Sequence, residues 1–339
     1  MKPVKILLRL LQAFFVLAGV ALLIFVMLRI IPGDPVTTMM GEHADRAAIA
    51  RMTAELGLDQ PIYKQFIRYI SGALRGDFGT SMSLNKPVSS LMAAAFGNTL
   101  KLAVFSALFA WVLGIFCGII AAVRKNGLLD HLFMGVSLMG VCMPVFMTAM
   151  LLQYIFGFYL HWLPITGIKS WQGFILPSVA LGWNSAGNIA RLVRSSLLEI
   201  LQEDYIDTAR SKGRGQTGIL VVHALRNAMI PVITMMALQF SGLLSGAVIT
   251  ETVFSINGIG RLAVQAITGR DIPLLQGTVL FSTLVVILGN LLADCLYSVL
   301  DPRIRKETDF VFGSSAAEGA KPSSEDIEPT DQSSLREEG

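Results

Sequence analysis

Eleven consecutive residues, Asp204-Tyr205-Ile206-Asp207-Thr208-Ala209-Arg210-Ser211-Lys212-Gly213-Arg214, hold the chain's most suggestive cluster of interacting groups. A helix opening near Asp204 places Tyr205, Thr208, Ala209 and Lys212 on one face by the i, i+3, i+4, i+7 rule. Ala209 leaves room for a partner's backbone, and Gly213 can supply the left-handed residue that closes a helix. Such a face suits docking against another protein; the plainer reading is a solvated loop helix. Bond-making chemistry finds no comparable cluster. His43, His131, His161 and His223 are far apart, without HxxxH or HExxH spacing, and no metal site is expected. Cys117, Cys142 and Cys295 lie in apolar runs without CxxC spacing and read as small hydrophobes. No Gly-Lys dipeptide occurs, so there is no GxxxxGK[ST] phosphate loop. Gly213 to Gly218 fits GxGxxG but follows a helix and no strand, which is the wrong context for a dinucleotide. Neither GxSxG nor an apposed carboxylate pair is evident, so a hydrolase is disfavoured.

Polar pairs four residues apart stripe the apolar segments: Asn184 and Asn188, Ser241 and Ser245, Asn290 and Asp294. Each pair shares a helix face. Such stripes line a wet cavity or bond neighbouring helices, the second being commoner. Met139, Met143, Met147 and Met150 also share a face. Thioethers suit Cu(I), but core packing is the expected use, and Pro144 within the stripe predicts a kink. Between Glu251 and Arg261, Gly258 and Gly260 are expected to make a flexible loop.

The elements that hold these residues are apolar. Of 339 residues 53% are hydrophobic and only 15% charged, with mean hydropathy +0.61. A soluble domain carries about 25% charge, so this composition requires lipid. Six spans are expected: Leu10 to Leu28, then 98–123, 132–160, 174–193, 228–250 and 276–300. The fold class is therefore all-α integral membrane protein with six transmembrane helices. The first span reads as an uncleaved signal anchor, because Ile31-Pro32-Gly33-Asp34-Pro35 follows it in place of a cleavage site. Fourteen Lys and Arg fall on one side, against Lys169, Arg261 and Arg270 in the two later loops opposite. That bias places both termini in the cytoplasm. Segment 32–97 is expected to fold, with Asp59 capping a helix, Pro61 in its first turn, and Ile62, Phe66, Tyr69, Ile70 and Leu74 along one side. Arg75 to Ser81 reads as a tight loop, and residues 313–339, with seven acids and two bases, as disordered.

The docking segment resembles the EAA loop of ABC-importer permeases. Asp207-Thr208-Ala209 stands for the triplet, Gly213 for its glycine, and His223-Ala224-Leu225-Arg226 for the later I-x-L-P. Further blocks strengthen the resemblance: Leu28 to Pro35, Gly76-Asp77-Phe78-Gly79-Thr80-Ser81, His223 to Ala228, Glu251 to Ser255 with Gly258-Ile259-Gly260-Arg261, and Leu300-Asp301-Pro302-Arg303-Ile304-Arg305. In this order they are similar to the first permease subunit of the dipeptide/oligopeptide/nickel importer family.

The resemblance implies a type I ABC importer permease architecture with a helical periplasmic insert. It divides the chain into 1–31 (N-terminus and first helix), 32–97 (insert), 98–303 (permease core with coupling loop 195–227) and 304–339 (cytoplasmic tail, disordered from about 313). It implies a non-catalytic subunit in a bacterial inner membrane, partnered by a sister permease, two ATPase subunits that bind ATP and Mg, and a periplasmic or extracellular solute-binding protein; no cofactor or nucleic acid belongs to this chain. Asp204, Asp207, Arg210, Lys212 and Arg214 would make electrostatic contacts with an ATPase subunit, while Ala209 and Gly213 set close approach. Phe254, Gly258, Gly260 and Arg261 would belong to an external gate. Asn184, Asn188, Ser241 and Ser245 are possible pathway lining. Dipeptides or oligopeptides are the expected cargo, with nickel or a metal chelate as the alternative. A proton-coupled carrier would show inverted repeats with midplane charges, and neither is clear.

Overall fold

Apolar runs with few breakers become long helices, and the computed structural model describes residues 3–30, 45–55, 57–244 and 247–300. Side chains at 3–6, 48, 49, 52, 55 and 295–300 are excepted. The acidic tail, the Arg303–Lys306 cluster, the Ile31–Pro35 block, His43, Ser245 and the Cys295 side chain lie outside the described residues. Contacts gather the chain into Met1–Tyr297 and Ser298–Gly339. Of the second unit, Ser298 to Leu300 are described, as the end of a helix.

Helix α1 (Pro3–Ile30) is followed by α2 (Arg46–Glu55) and α3 (Ile62–Leu74). Then come α4 (Val88–Val123), α5 (Leu128–Cys142), α6 (Val145–Leu152) and α7 (Ile175–Ile200). The last five are α8 (Asp204–Ser211), α9 (Leu225–Leu244), α10 (Val248–Val253), α11 (Ile259–Thr268) and α12 (Ile272–Leu300). No strand occurs among the described residues beyond a single bridge between Thr80 and Pro87.

Among the described residues, four helical stretches are long and apolar enough to cross a membrane, or five if the bent pair α5–α6 forms one span. The expected fourth span, in α7, does not qualify. Ser178, Asn184, Asn188, Arg191 and Arg194 dilute its hydropathy, and it is shielded by α4, α5, α6 and α9 instead of facing lipid. Pro144 does more than kink the third span. The two halves meet at 110° and the second continues as a π-helix, Gln153–Tyr159. That break separates Met139 from Met147 and Met150, which are all exposed, so the methionines neither share a face nor fill this chain's core. Asp59 does not cap α3; Pro61 occupies the cap position with no side-chain bond, and the helix starts at Ile62. The tight loop after α3 is present, with Gly76 and Gly79 at positive φ and Asp77 accepting from the Gly79 N–H at 2.9 Å.

The centre of the fold is a parallel pair, α4 and α7. Ser106, Ala110, Gly114, Gly118 and Ala122 recur every fourth residue on α4, all buried, opposite Ser178, Gly182, Ala186 and Ala190 on α7. Ridges of small residues let membrane helices approach closely, where dispersion and not hydrophobicity drives association. A Cβ added to Gly118 would stand 2.6 Å from the Ala190 carbonyl oxygen, so this seam has no room to spare.

Candidate functional site

Two sites form at opposite ends of α7, separated by about 32 Å of helix between Leu176 and Leu197. That matches a hydrocarbon core of about 30 Å.

At one end sits α8, where the docking helix was expected. Ile206 is completely buried in a cluster with Val193, Leu197, Ile219, Ala224 and Val232 from α7, α9 and the π-helical turn Ile219–Ala224 that precedes α9. Ala209, one turn on, packs against the same cluster, so its small side chain admits this chain's own helices. Tyr205, Thr208 and Lys212 do stay outward, as do Asp204, Asp207 and Arg210. Asp207 pairs with Arg210 at 2.8 Å, and Asn227 donates to the Tyr205 hydroxyl at 3.0 Å. Gly213 closes the helix at φ +77°, its N–H on the Arg210 carbonyl and that of Arg214 on the Ala209 carbonyl. This is a Schellman ending, and it leaves Gly213 and Arg214 exposed.

An ion pair between a buried aspartate and a half-buried arginine fixes the neighbourhood. Arg194 of α7 forks onto Asp130 of α5 through two bonds of 2.7 Å, and Asp130 also accepts from the Asn126 N–H at 2.9 Å. Such bidentate pairs are geometrically specific. Sequence reading passed over Asp130, although a lone acid opening an apolar helix after Asn126-Gly127 signals it.

At the other end, where a flexible loop was expected, residues 251–261 are bonded to the rest of the fold on several sides. Glu251 is fully buried and caps α11: its carboxylate accepts from the Thr99 hydroxyl at 2.7 Å and the Arg261 N–H at 2.9 Å. Thr99 in turn accepts from the Ile259 N–H at 2.9 Å. Gly258 and Gly260 are spacers for this carboxylate, not hinges. A Cβ on Gly258 would lie 2.3 Å from the Glu251 carboxyl carbon, and one on Gly260 2.8 Å from the Val248 Cα. Burial pushes the Glu251 carboxyl above the usual carboxylate range, against the Thr99, Arg261 and Gly260 donors that pull it down. Phe254 is buried among Leu102, Phe174 and Ile256, and its carbonyl accepts from the Gly167 N–H at 2.8 Å. The Arg261 guanidinium bonds Asn257 at 3.2 Å.

Next to this loop, Asp271 is also fully buried and accepts from Ser81 (2.6 Å), the Ser83 N–H (2.9 Å) and hydroxyl (2.8 Å), and the Leu274 N–H (3.1 Å). It was legible as an N-cap before an apolar run, yet was not singled out.

Of the possible lining residues that are described, Asn184 ties two helices, while Asn188 and Ser241 bond within their own. Asn184 donates to the Val141 carbonyl at 3.3 Å, at the break after α5; Asn188 donates to Asn184 and accepts from Arg191. Ser241 bonds its own helix at Ala237 and is buried against Gly289 of α12. Asp294 pairs with Arg9 of α1 at 2.8 Å. No group of His, Cys, Asp and Glu among the described residues is arranged to hold a metal.

Residues 114–306 match the family described as binding-protein-dependent transport system inner membrane component, and residues 4–103 match its N-terminal counterpart. The glutathione transport system permease protein GsiC of Salmonella paratyphi A is 46% identical over 297 residues, 88% of this chain and 97% of that protein. Its Escherichia coli counterpart is 44% identical over 302 residues, 89% and 98% of the two chains. Among solved structures, an inward-facing MetNI methionine ABC transporter chain aligns with a TM-score of 0.54 at 18% identity, covering 62% of this chain and 96% of that one. That likeness extends to the fold alone.

Proposed function

The chain belongs to the inner-membrane components of binding-protein-dependent transport systems, and we propose that it forms half of the translocation path of an ATP-driven importer whose cargo is glutathione or a peptide of similar size. It is a multi-pass membrane permease of the ABC importer class. The cargo reading rests on one observation, the 44–46% identity to glutathione permeases across nearly their whole length.

In this reading the end carrying α8 faces the cytoplasm, with both termini, and the 251–261 loop and the 32–97 insert face outward. A sister permease completes the path, two ATPase subunits hold ATP, and a solute-binding protein delivers cargo. Asp204, Tyr205, Asp207, Thr208, Arg210, Lys212 and Arg214 present a polar surface to an ATPase subunit, while Ile206 and Ala209 fasten that surface to α7 and α9. ATPase closure pushes on α8, and the buried cluster passes the displacement to the path-forming helices. At the far end, the rigid cap around Glu251 gives the outer rim a fixed shape for cargo to pass. No bond is made or broken in this chain.

The test is uptake into proteoliposomes holding the complete complex and its binding protein. Labelled glutathione should accumulate only with internal ATP, and unlabelled glutathione should compete better than a nickel chelate. Accumulation driven by a proton gradient without ATPase subunits, or uptake of the chelate alone, would overturn the proposal.

A further inference from the structure

A charged cleft of about 550 Å³ lies where the end of α1, one face of α3, the 77–82 turn and the first turn of α12 meet. Neither the docking helix nor the Glu251 loop uses it. Its walls carry three guanidiniums, Arg29, Arg68 and Arg75, against one carboxylate, Asp77, whose Oδ1 already serves the Gly79 N–H. Arg29 is held over the Phe25 ring, 3.4 Å from its centroid, and donates to the Phe25 carbonyl and to Gln65. Among the described residues, no carboxylate pairs with Arg68 or Arg75.

A second observation points to a ligand. Gln276 of α12 is 7% exposed and lines this cleft, yet its side-chain NH2 has no partner among the described residues. A buried amide left without an acceptor is unfavourable, so an acceptor brought in from outside relieves it. Tyr69 supplies a further donor group: burial pushes its phenol up to about 12, so it keeps its proton, now directed at the Gln276 carbonyl at 3.5 Å.

The cleft's level in the membrane follows from its walls. Arg29 stands in the last turn of the span Leu7–Ile30, and Ile272 opens the span Ile272–Asp294. Two span ends therefore bound it, at the height where hydrocarbon gives way to headgroups. Helix α3 runs beside it with two different faces. Phe66 and Tyr69 pack on Phe25. Tyr63, Ile67 and Leu74 form an outward apolar stripe, at least 62% exposed, next to Lys64 and Arg68. Basic residues flanking an exposed apolar stripe characterise helices that lie in the membrane interface.

We propose that this cleft binds the phosphate diester of an anionic phospholipid, with α3 lying in the headgroup layer beside it. Guanidinium forks match phosphate oxygens in geometry and charge, and the excess of two positive charges favours an anionic over a zwitterionic headgroup. The apolar stripe selects lipid over a soluble anion, because acyl chains cover it and free phosphate does not.

Native mass spectrometry of the full-length chain in its purified complex tests this, with phosphatidylglycerol, phosphatidylcholine and glycerol 3-phosphate as probes. Phosphatidylglycerol should be retained about tenfold better than phosphatidylcholine. Arg68→Gln/Arg75→Gln should abolish that preference, and Gln276→Leu should reduce phosphatidylglycerol retention by about threefold. The two variants are made separately, so a folding failure in one leaves the other to decide. Equal retention of both lipids, or undiminished preference in the variants, would overturn the proposal. Competition by glycerol 3-phosphate as strong as by the lipid would overturn the lipid source and leave a soluble phosphate site. Weaker capture of the binding protein by the arginine variant, with lipid retention unchanged, would assign the cleft to an acidic protein surface instead.

Discussion

At Gly258 a single methyl group decides whether a buried carboxylate keeps its place. The Glu251 side chain fills the space where a Cβ would stand, and the backbone on either side is pinned by Thr99 and by the start of α11. Gly258→Ala should therefore destabilise the solubilised complex by about 1–3 kcal/mol, the usual range for overpacking, read as a fall in the thermal unfolding midpoint. A glycine at the end of a loop and another just inside the next helix look like flexibility in a sequence; only the position of Glu251 shows that they are absences of volume. Glu251 and Asp271 should also give opposite pH signatures. Burial lifts Glu251 above its unfolded value of about 4.3, so the stability it contributes is full below that value and fades as pH rises through the folded one. For Asp271, burial alone would raise the carboxyl, but the donors Ser81, Ser83 and Leu274 outweigh it and hold it low. Its stability is full above about 3.9 and is lost as pH falls through the folded value. Unfolding midpoints across the acid-to-neutral range should rise relative to wild type on the neutral side for Glu251→Gln. Asp271→Asn should instead flatten the acid side; matching profiles for the two variants would contradict both assignments.

Helix α8 separates two functions that its sequence presents as one. Eight residues cannot hold a helix in water by propensity alone, so the buried Ile206 is what keeps it formed; full burial of such a side chain is worth about 1.5–3 kcal/mol. Its partners are already in place on α7 and α9, and Gly213 ends the helix before it can run into Gln216. Ile206→Ala should cost about 2–5 kcal/mol and loosen the helix, lowering uptake and protein yield together. Gly213→Val forces a β-branched residue to φ +77° but removes nothing from the cluster. It should leave ATP hydrolysis close to normal while glutathione uptake falls at least about tenfold, measured as the ratio of the two rates; an unchanged ratio would take α8 out of the coupling. The polar face and the closing glycine were readable from the spacing of charged residues. The anchoring face was not, because the face chosen for docking passed over Ile206 and took Ala209 outward. Regular four-residue steps of Ser, Ala and Gly on α4 and α7 were equally readable as a packing seam. They went unread because small residues weigh little in a hydropathy profile, which is also why α7 looks like a span in the sequence and falls short of one by composition.

Across the whole molecule, the proposed coupling makes the transmission element the body of α4, α7, the α8 anchor and the start of α9. Three kinds of restraint hold it: the small-residue seam, the Ile206 cluster, and the Asp130–Arg194 fork that ties α5 to the same end of α7. Tightly packed interiors move between discrete arrangements and do not stretch. A push on α8 therefore carries α7 with it, and the far end of α7 meets the cap around Glu251 through Phe174 and Phe254. The irregular backbone outside this body lies at the 110° break between α5 and α6 and at the π-helical turn Gln153–Tyr159. Spin labels at Thr208 and Ser195, on α8 and α7, should thus keep one distance whether or not ATP is bound to the assembled complex. Labels at Thr208 and on the corresponding helix of the sister permease should change theirs. Asp130→Asn removes the charge that holds the Arg194 fork; in that background the distance between α5 and α7 should broaden while the α7–α8 distance stays sharp. A nucleotide-dependent shift within the α7–α8 pair would mean that the helix flexes on its own, and that transmission runs through α9 instead.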